Sequence, residues 1–188
     1  MERQNNRDKD RERKPADDFV EKLVKLNRTS VTKKGGRKMA FSALTVVGDQ
    51  KGKIGFGYGK ANDVSEAIRK SIEKARANLI TVPMKNGTIP HEVIGKFNSS
   101  EVLLKPACPG TGVKAGGAVR AVMDAAGITD VISKAQGSRT SVNVIRATFD
   151  AVSKMMDAGK VSNSRGKSLN DMWGCLWRRN YVSRSSGA

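Results

Sequence analysis

One stretch of this chain combines a high positive charge with strand-like hydrophobic runs. Between residues 22 and 60 the only acidic residue is Asp49, and the basic residues are Lys22, Lys25, Arg28, Lys33, Lys34, Arg37, Lys38, Lys51, Lys53 and Lys60. A folded surface with such dense charge of one sign needs an oppositely charged partner, and the phosphate backbone of a nucleic acid is the commonest one. The stretch therefore predicts a folded polyanion-binding face.

The charge pattern favours a nucleic-acid partner over a membrane. The net charge is +17, and the excess lies mainly in this stretch and in residues 158–188. A membrane-binding chain would need a basic amphipathic helix or a long apolar run, and the sequence shows neither. The first residues alternate in charge without an apolar core, unlike a signal peptide. We therefore expect a cytoplasmic protein with no membrane partner.

Periodicity predicts a three-stranded meander and then a helix in the first half of the chain. Residues 19–31 are predicted to open as a helical turn and continue as a strand, and a KKGGRK turn follows. Further strands are predicted over 39–47 and 53–59, joined by a tight turn. A helix is predicted over 63–80, with Asp63 as N-cap and an apolar stripe of Val64, Ile68, Ile72, Ala75 and Leu79. Its other face is charged, which fits either solvation or RNA contact.

The third strand has two contrasting faces. Gly55, Gly57 and Gly59 share one face, which leaves a strip without side chains where another backbone, of protein or RNA, has room to approach. Ile54, Phe56 and Tyr58 share the other face. We predict that these side chains are core residues under the helix and not platforms for stacked bases.

Two RNA-binding modules compete for the first half of the chain. The string GFGY resembles the middle of an RRM aromatic motif, but Ile54 and Ala61 stand where a basic and an aromatic residue belong. A double-stranded-RNA-binding layout, with a three-stranded sheet packed on one helix, fits the predicted order of elements better. We therefore predict an α+β fold that begins with a domain of this second kind.

The second half of the chain is less charged and predicts a two-layer α/β domain. Its predicted order is strand, strand, helix, strand, helix, with the last helix ending at Ala158. Glycines between residues 110 and 117 fit either a structural turn or a phosphate-binding loop. The predicted divisions are a disordered charged extension over 1–16, an RNA-binding domain over 17–82, the α/β domain over 83–158, and a linker with a basic tail over 159–188.

The sequence does not predict an enzyme, a cofactor or a metal site. Gly166-Lys167-Ser168 ends like a phosphate-binding P-loop, but Val161 stands where its first glycine belongs. The single histidine has no partner ligand at metal-binding spacing, and no serine-nucleophile motif is present. The two cysteines, Cys108 and Cys175, lie far apart and are expected to be free thiols. No catalytic residue is therefore nominated.

Several long strings resemble one family. They are KKGGRKMAFSALTVVGDQKGKIGFGYGKANDVSEAI, GTIPHEV, VLLKPACPGTGVKAGGAVRAVMDAAGI and NVIRAT. In this order, over about residues 17–174, they are similar to the bacterial small-subunit ribosomal protein five family. The resemblance implies a double-stranded-RNA-binding-like first domain and a second domain with a left-handed β-α-β crossover. It also implies a structural role near the neck of the small subunit, bound to 16S rRNA.

The resemblance further implies protein partners and contact residues. The neighbours would be small-subunit proteins four and eight, with proteins three and four sharing the mRNA entrance, and the interface with protein four would affect translational accuracy. The family's glycine-rich basic loop corresponds to Lys33, Lys34, Gly35, Gly36, Arg37 and Lys38. Further RNA contacts are predicted at Lys51, Lys53 and Lys60, and Arg28 extends the same surface. After Gly174 the chain continues with cations beside aromatics, which fits either rRNA stacking or a disordered overhang.

Overall fold

The computed structural model describes residues 19–167, which form two four-stranded sheets and four helices. The first sheet is antiparallel and has the order β1-β2-β3-β4. Its strands are β1 (Val20–Lys33), β2 (Gly36–Gly48), β3 (Lys53–Ala61) and β4 (Leu79–Thr81), with helix α1 (Val64–Ala77) before β4.

The predicted meander and helix are confirmed. β4 was not predicted, and β1 begins as a strand and not as a helical turn, because Val20 already pairs with Gly48.

Helix α1 packs on the glycine strip of β3. A Cβ added to Gly57 would lie 1.9 Å from the carbonyl oxygen of Ser71, and one added to Gly59 would lie 2.3 Å from that of Ala67. This close approach brings a line of small residues, Ala67, Ser71 and Ala75, into the interface. The apolar stripe predicted for α1 therefore lies beside this line of small residues on the helix surface. Of its members, only Ala75 lies at the centre of the contact with β3. The glycine strip meets a helix of the same chain and is not open to RNA.

The opposite face of β3 packs on the second half of the chain. Because side chains alternate along a strand, Ile54 and Phe56 point away from α1. Ile54 is fully buried, and the Phe56 ring contacts the ring of Phe149. The prediction that these residues lie under the helix was wrong, because the first sheet has a packed layer on both faces.

The second sheet has the order β5-β6-β8-β7. Its strands are β5 (Val93–Phe97), β6 (Ser100–Pro106), β7 (Val113–Lys114) and β8 (Val131–Gly137). Helix α2 (Gly117–Ala126) connects β7 to β8, which pair in parallel and so form the expected β-α-β unit. The helix ends as predicted at Gly127, whose φ of 83° is the left-handed conformation of a helix C-terminus.

Helix α3 packs on β5 and β6 through the face that its sequence predicted. Val144, Thr148, Ala151, Val152 and Met155 all lie buried. The helix spans Ser141–Lys154 and ends because Met155 is extended. A short helix, α4 (Ala158–Arg165), then occupies part of the stretch expected to be a linker. The short helix predicted over 169–177 lies outside the described residues.

Both halves of the chain share one hydrophobic core. Helices α2 and α3 lie between the two sheets, and buried side chains of β2 and β3 join those of α2, β6 and α3 in a single cluster. The turn before β3 is bound to the end of α2, since the amides of Gln50 and Gly52 donate to the carbonyls of Ala125 and Ala126. The two halves therefore hold a fixed orientation to each other.

Candidate nucleic-acid interface

The β1–β2 hairpin extends beyond the body of the protein as a two-stranded arm. From residue 25 to residue 39 every residue is exposed, so both faces of the ribbon lie in solvent. Lys33 pairs with Gly36, which leaves Lys34 and Gly35 as a two-residue turn at the tip. From Arg28 to the tip the arm is about 20 Å long at the usual rise of a strand. We call residues 25–39 the basic arm.

The pairing register distributes the cations of the basic arm over both of its faces. Paired residues share a face of the ribbon, and so do alternate residues of one strand. Lys25, which pairs with Leu44, therefore shares its face with Lys33 and with Lys38, the partner of Val31. This face continues into the contact with α2. Arg28 and Arg37 lie on the face that continues under α1. Lys34 occupies the turn. A ribbon that is cationic on both faces fits between two segments of a polyanion better than on one flat surface.

None of the cations of the basic arm forms an ion pair with a described residue. Helix α1 differs, because its Arg69, Lys70 and Arg76 each lie within 3.6 Å of a glutamate oxygen. Local carboxylates thus offset part of the charge of α1, whereas no acidic residue lies in the chain between Glu21 and Asp49. The basic arm is therefore the stronger candidate for contact with phosphates.

The two glycines at the tip have no packing role among residues 19–167. A Cβ built on Gly35 or Gly36 meets no atom within 4 Å. Gly36 has a φ of +134°, which a side chain rarely permits. Gly35 leaves the backbone at the tip open, so an external group has direct access to its amide.

Lys60 lies at the base of the basic arm. It pairs with Ser42, on the face that carries Lys33 and Lys38, and its ammonium lies 5.6 Å from the centre of the Tyr58 ring. Eight of the ten predicted contact residues therefore lie along the arm or at its base: Arg28, Lys33, Lys34, Gly35, Gly36, Arg37, Lys38 and Lys60.

Lys51 and Lys53 lie at the other end of the sheet. Because they follow β2, the full length of that strand, about 40 Å, separates them from the tip of the arm. Burial raises the pKa of the Asp49 carboxyl in this turn, but hydrogen bonds from the amides of Lys53 and Lys51, together with the charge of Lys53, leave the pKa below its usual value. The turn is thus rigid and separate from the arm, so these two lysines face a different part of any partner.

The prediction of contact residues omitted several arm positions. Lys25 belongs to the same basic run and lies exposed on the arm. Val31 and Met39 are 59% and 42% exposed there. Apolar residues in a strand-like sequence predict a buried face. Only the structure shows that the hairpin extends beyond the body, so that both of its faces are exposed.

Comparison with known proteins agrees with this architecture. The family model "Ribosomal protein S5, N-terminal domain" matches residues 19–83, and "Ribosomal protein S5, C-terminal domain" matches residues 95–165. The chain belongs to the ribosomal protein S5 family. The resemblance seen in the sequence and the α+β fold expected from it are confirmed.

Curated S5 relatives match over most of their length. A small ribosomal subunit protein uS5 of Treponema denticola is 67% identical over 84% of this chain and 91% of its own. A uS5 of Treponema pallidum is 60% identical over 90% of this chain and 98% of its own. A uS5 of Borreliella burgdorferi is 54% identical over 82% and 94%, respectively. These names describe components of the small ribosomal subunit, and none names an enzyme.

The described residues contain no group of three or more His, Cys, Asp or Glu side chains placed to hold a metal ion. Among residues 19–167 no helix is both long and apolar enough to cross a bilayer. Cys108 is exposed and forms no disulfide with a described residue, and Cys175 lies outside the described residues.

Proposed function

We propose that this chain is a structural constituent of the bacterial small ribosomal subunit and acts by binding 16S rRNA, not by catalysis. The observation that carries the proposal is the basic arm, which has cations on both faces and, within the part of the chain that the structure describes, neither a carboxylate partner nor a packing role. Membership of the S5 family supports it. As a ribosomal component the chain works in the cytoplasm.

The proposed mechanism is positional. The cations of the basic arm neutralise phosphates, and the open backbone at Gly35 lets an amide approach RNA that a side chain would keep away. The shared core keeps the arm at a fixed angle to the second half of the chain. The arm thus holds two rRNA segments at a defined spacing, while Lys51 and Lys53 contact a third segment at the other end of the sheet.

Family membership supports a proposal for the finer placement in the subunit. We propose a position near the neck, with small-subunit proteins four and eight as neighbours and protein three at the shared mRNA entrance. In that position the chain lines the path of the mRNA and influences translational accuracy through its interface with protein four. The exposed outer side of the second sheet, with Ile94 and Ile132 at 45% and 42% exposure, offers a surface for a protein neighbour.

Sedimentation of tagged protein from cells tests the proposal. We expect the protein in small-subunit fractions of a sucrose gradient, retained after a high-salt wash, with protection of 16S rRNA from chemical probes. Recovery only in the free fractions would contradict a ribosomal role. Equally tight binding to generic RNA duplexes, without subunit association, would favour a free double-stranded-RNA-binding regulator instead.

A further inference from the structure

A cleft of about 830 Å³ opens beside the base of the basic arm. Leu23 and Val24 of β1 form one side, and the other walls come from the start of α2, from β8 and from the start of α3. None of the ten residues predicted to contact RNA lines it. Gly116 and Gly117 do line it, and they belong to the glycines that fit either a structural turn or a phosphate-binding loop. Its volume falls in the range of small-ligand sites, and it is far larger than a single phosphate requires.

The charged lining of the cleft is entirely basic. Lys114, Lys134 and Arg139 line it together with no carboxylate, and none of the three forms an ion pair with a described residue. Helices α2 and α3 both begin at the cleft, and neither has a side-chain cap on its first turn. Free amides at two helix starts add partial positive charge to that of the three cations. The cleft is therefore selective for an anion.

A buried hydroxyl in the cleft wall lacks a partner. Ser133 Oγ exposes less than 1 Å² and forms no hydrogen bond within the described chain. Buried polar groups in native proteins are nearly always hydrogen-bonded, since an unsatisfied one costs stability. Ser133 lines the cleft, but so little of its Oγ is accessible that a bound group reaches it only when the Ser133 side chain rotates toward the cleft.

The remaining lining is apolar and indicates more than a bare anion. Leu23, Val24, Ala115, Ala118 and Val144 supply these walls. Such a wall suits the faces of a sugar and a base, while the cations suit a phosphate. Paired bases present only their edges, so a base that enters a protein cleft must be unpaired.

We propose that this cleft binds one unpaired nucleotide of RNA, with its phosphate at the cations and its sugar and base against the apolar wall. The inference rests on the proposed rRNA-binding function and adds a second site to it. Leu23 and Val24 directly precede Lys25, so a strand that leaves the cleft passes onto the face of the basic arm that carries Lys25 and Lys33. The cleft and the basic arm thus form one continuous binding surface for an RNA strand.

Two variants and two probes test the proposal. One variant combines Lys114→Ala, Lys134→Ala and Arg139→Ala. The other, Gly117→Leu, keeps the charge but obstructs the cleft, and a Cβ at Gly117 meets no atom within 4 Å, so the helix tolerates it. The probes are an RNA hairpin with one unpaired nucleotide bulged from its stem and the same hairpin without the bulge. The matched control is Lys96→Ala, Lys105→Ala and Lys154→Ala, which removes the same charge from positions paired with carboxylates.

We expect wild-type protein to bind the bulged hairpin at least tenfold more tightly than the fully paired one, and both cleft variants to lose this preference. The triple cleft variant should also lose roughly 0.7 to 0.9 from the log–log salt slope with the bulged hairpin, because the cleft holds one phosphate. The control should retain the preference.

No preference in wild type, or a preference that survives both cleft variants, would overturn the proposal. Equal losses in the cleft and control triples would also overturn it, because they would show an effect of net charge alone. Subunit association in the gradient is measured separately, so a failed cleft leaves the ribosomal role standing.

Discussion

The ring of Phe56 meets the ring of Phe149 edge to face, with centroids 4.6 Å apart and planes inclined by 64°. Phe56 lies in the first sheet and Phe149 in α3, so the pair joins the two halves of the chain. Family models match these halves separately. The structure nevertheless buries them in one core.

The shared core predicts that the two halves unfold together. Phe149 is 4% exposed, and Phe149→Ala is expected to reduce the free energy of unfolding by about 3–5 kcal/mol. Urea unfolding should show a single transition at a lower midpoint. Circular dichroism and amide hydrogen exchange should both report this same transition. Two separate transitions would instead support independent domains over 17–82 and 83–158, a division that stays a prediction.

The glycine strip predicts a sharp difference between two glycines. Gly57→Ala would place a Cβ 1.9 Å from the Ser71 carbonyl oxygen, so α1 must move, and we expect a loss of about 3 kcal/mol of stability. Gly35→Ala adds its Cβ in open space and should leave stability unchanged. Thermal unfolding of both variants checks this. Equal stability of the two would show that α1 does not lie against β3 as described.

The basic arm predicts a change in the salt dependence of rRNA binding. Changing Lys33, Lys34, Arg37 and Lys38 together to Ala should weaken binding and reduce the log–log salt slope by roughly 3, because each lost phosphate contact removes 0.7 to 0.9. Filter binding with a 16S rRNA fragment at several salt concentrations measures the slope. An unchanged slope would remove the arm from the interface.

The separation of the two turns predicts additive effects. Lys51→Ala with Lys53→Ala should reduce the same slope by roughly 1.5 if both lysines contact phosphates. Because about 40 Å of strand separates them from the arm tip, combining this pair with the arm variant should give the sum of the two losses. A combined loss no larger than that of the arm variant alone would leave Lys51 and Lys53 without a role in binding.

Asp130 predicts a pH-dependent contribution to stability. Its carboxylate accepts hydrogen bonds from the Gly112 amide and the Thr129 hydroxyl, which lower its pKa from the usual 3.8. A lowered folded-state pKa stabilises the fold above the unfolded value, and this stability is lost as the pH falls through the folded value. Asp130→Asn should therefore be less stable than wild type at pH 7.

The same comparison at low pH is the decisive measurement. The difference in unfolding free energy between wild type and Asp130→Asn should narrow as the pH falls below 3.8, where the native carboxyl becomes protonated. Urea unfolding at neutral and acidic pH measures it. A gap that stays constant down to the acid limit would show that the charge of Asp130 does not stabilise the fold.

Local periodicity predicted the elements of this fold well but did not predict what covers them. The prediction for α3 named four of its seven buried residues and missed Ile145, Ala147 and Phe149. It missed them because α3 contacts both sheets and so buries more than one face. On β3, alternation separated Gly55, Gly57 and Gly59 from Ile54 and Phe56, but it could not tell which set faces α1. Both faces are buried, by layers distant in sequence, and the choice depends on how closely a helix approaches.

The candidate interface divides in the same way. Charge density alone identified the basic arm, because a run of basic residues without acidic ones can be read directly from the sequence. For the cleft, the sequence indicated only its glycines at the start of α2, as one of two readings. Its three cations were not predicted, since Lys114, Lys134 and Arg139 belong to separate segments that meet only after β7, β8 and α3 are in place. The separation of Lys51 from Lys34 likewise depends on the full length of β2.

The exposure of the arm also bears on the life of the protein before assembly. Among the described residues β1 pairs only with β2, so an unbound copy displays an edge strand together with the exposed side chains of Val31 and Met39. On the proposed function, a copy bound to rRNA covers this segment. Proteases and chaperones would then reach the edge strand only in copies not yet assembled, which would let the cell remove protein made in excess of its rRNA.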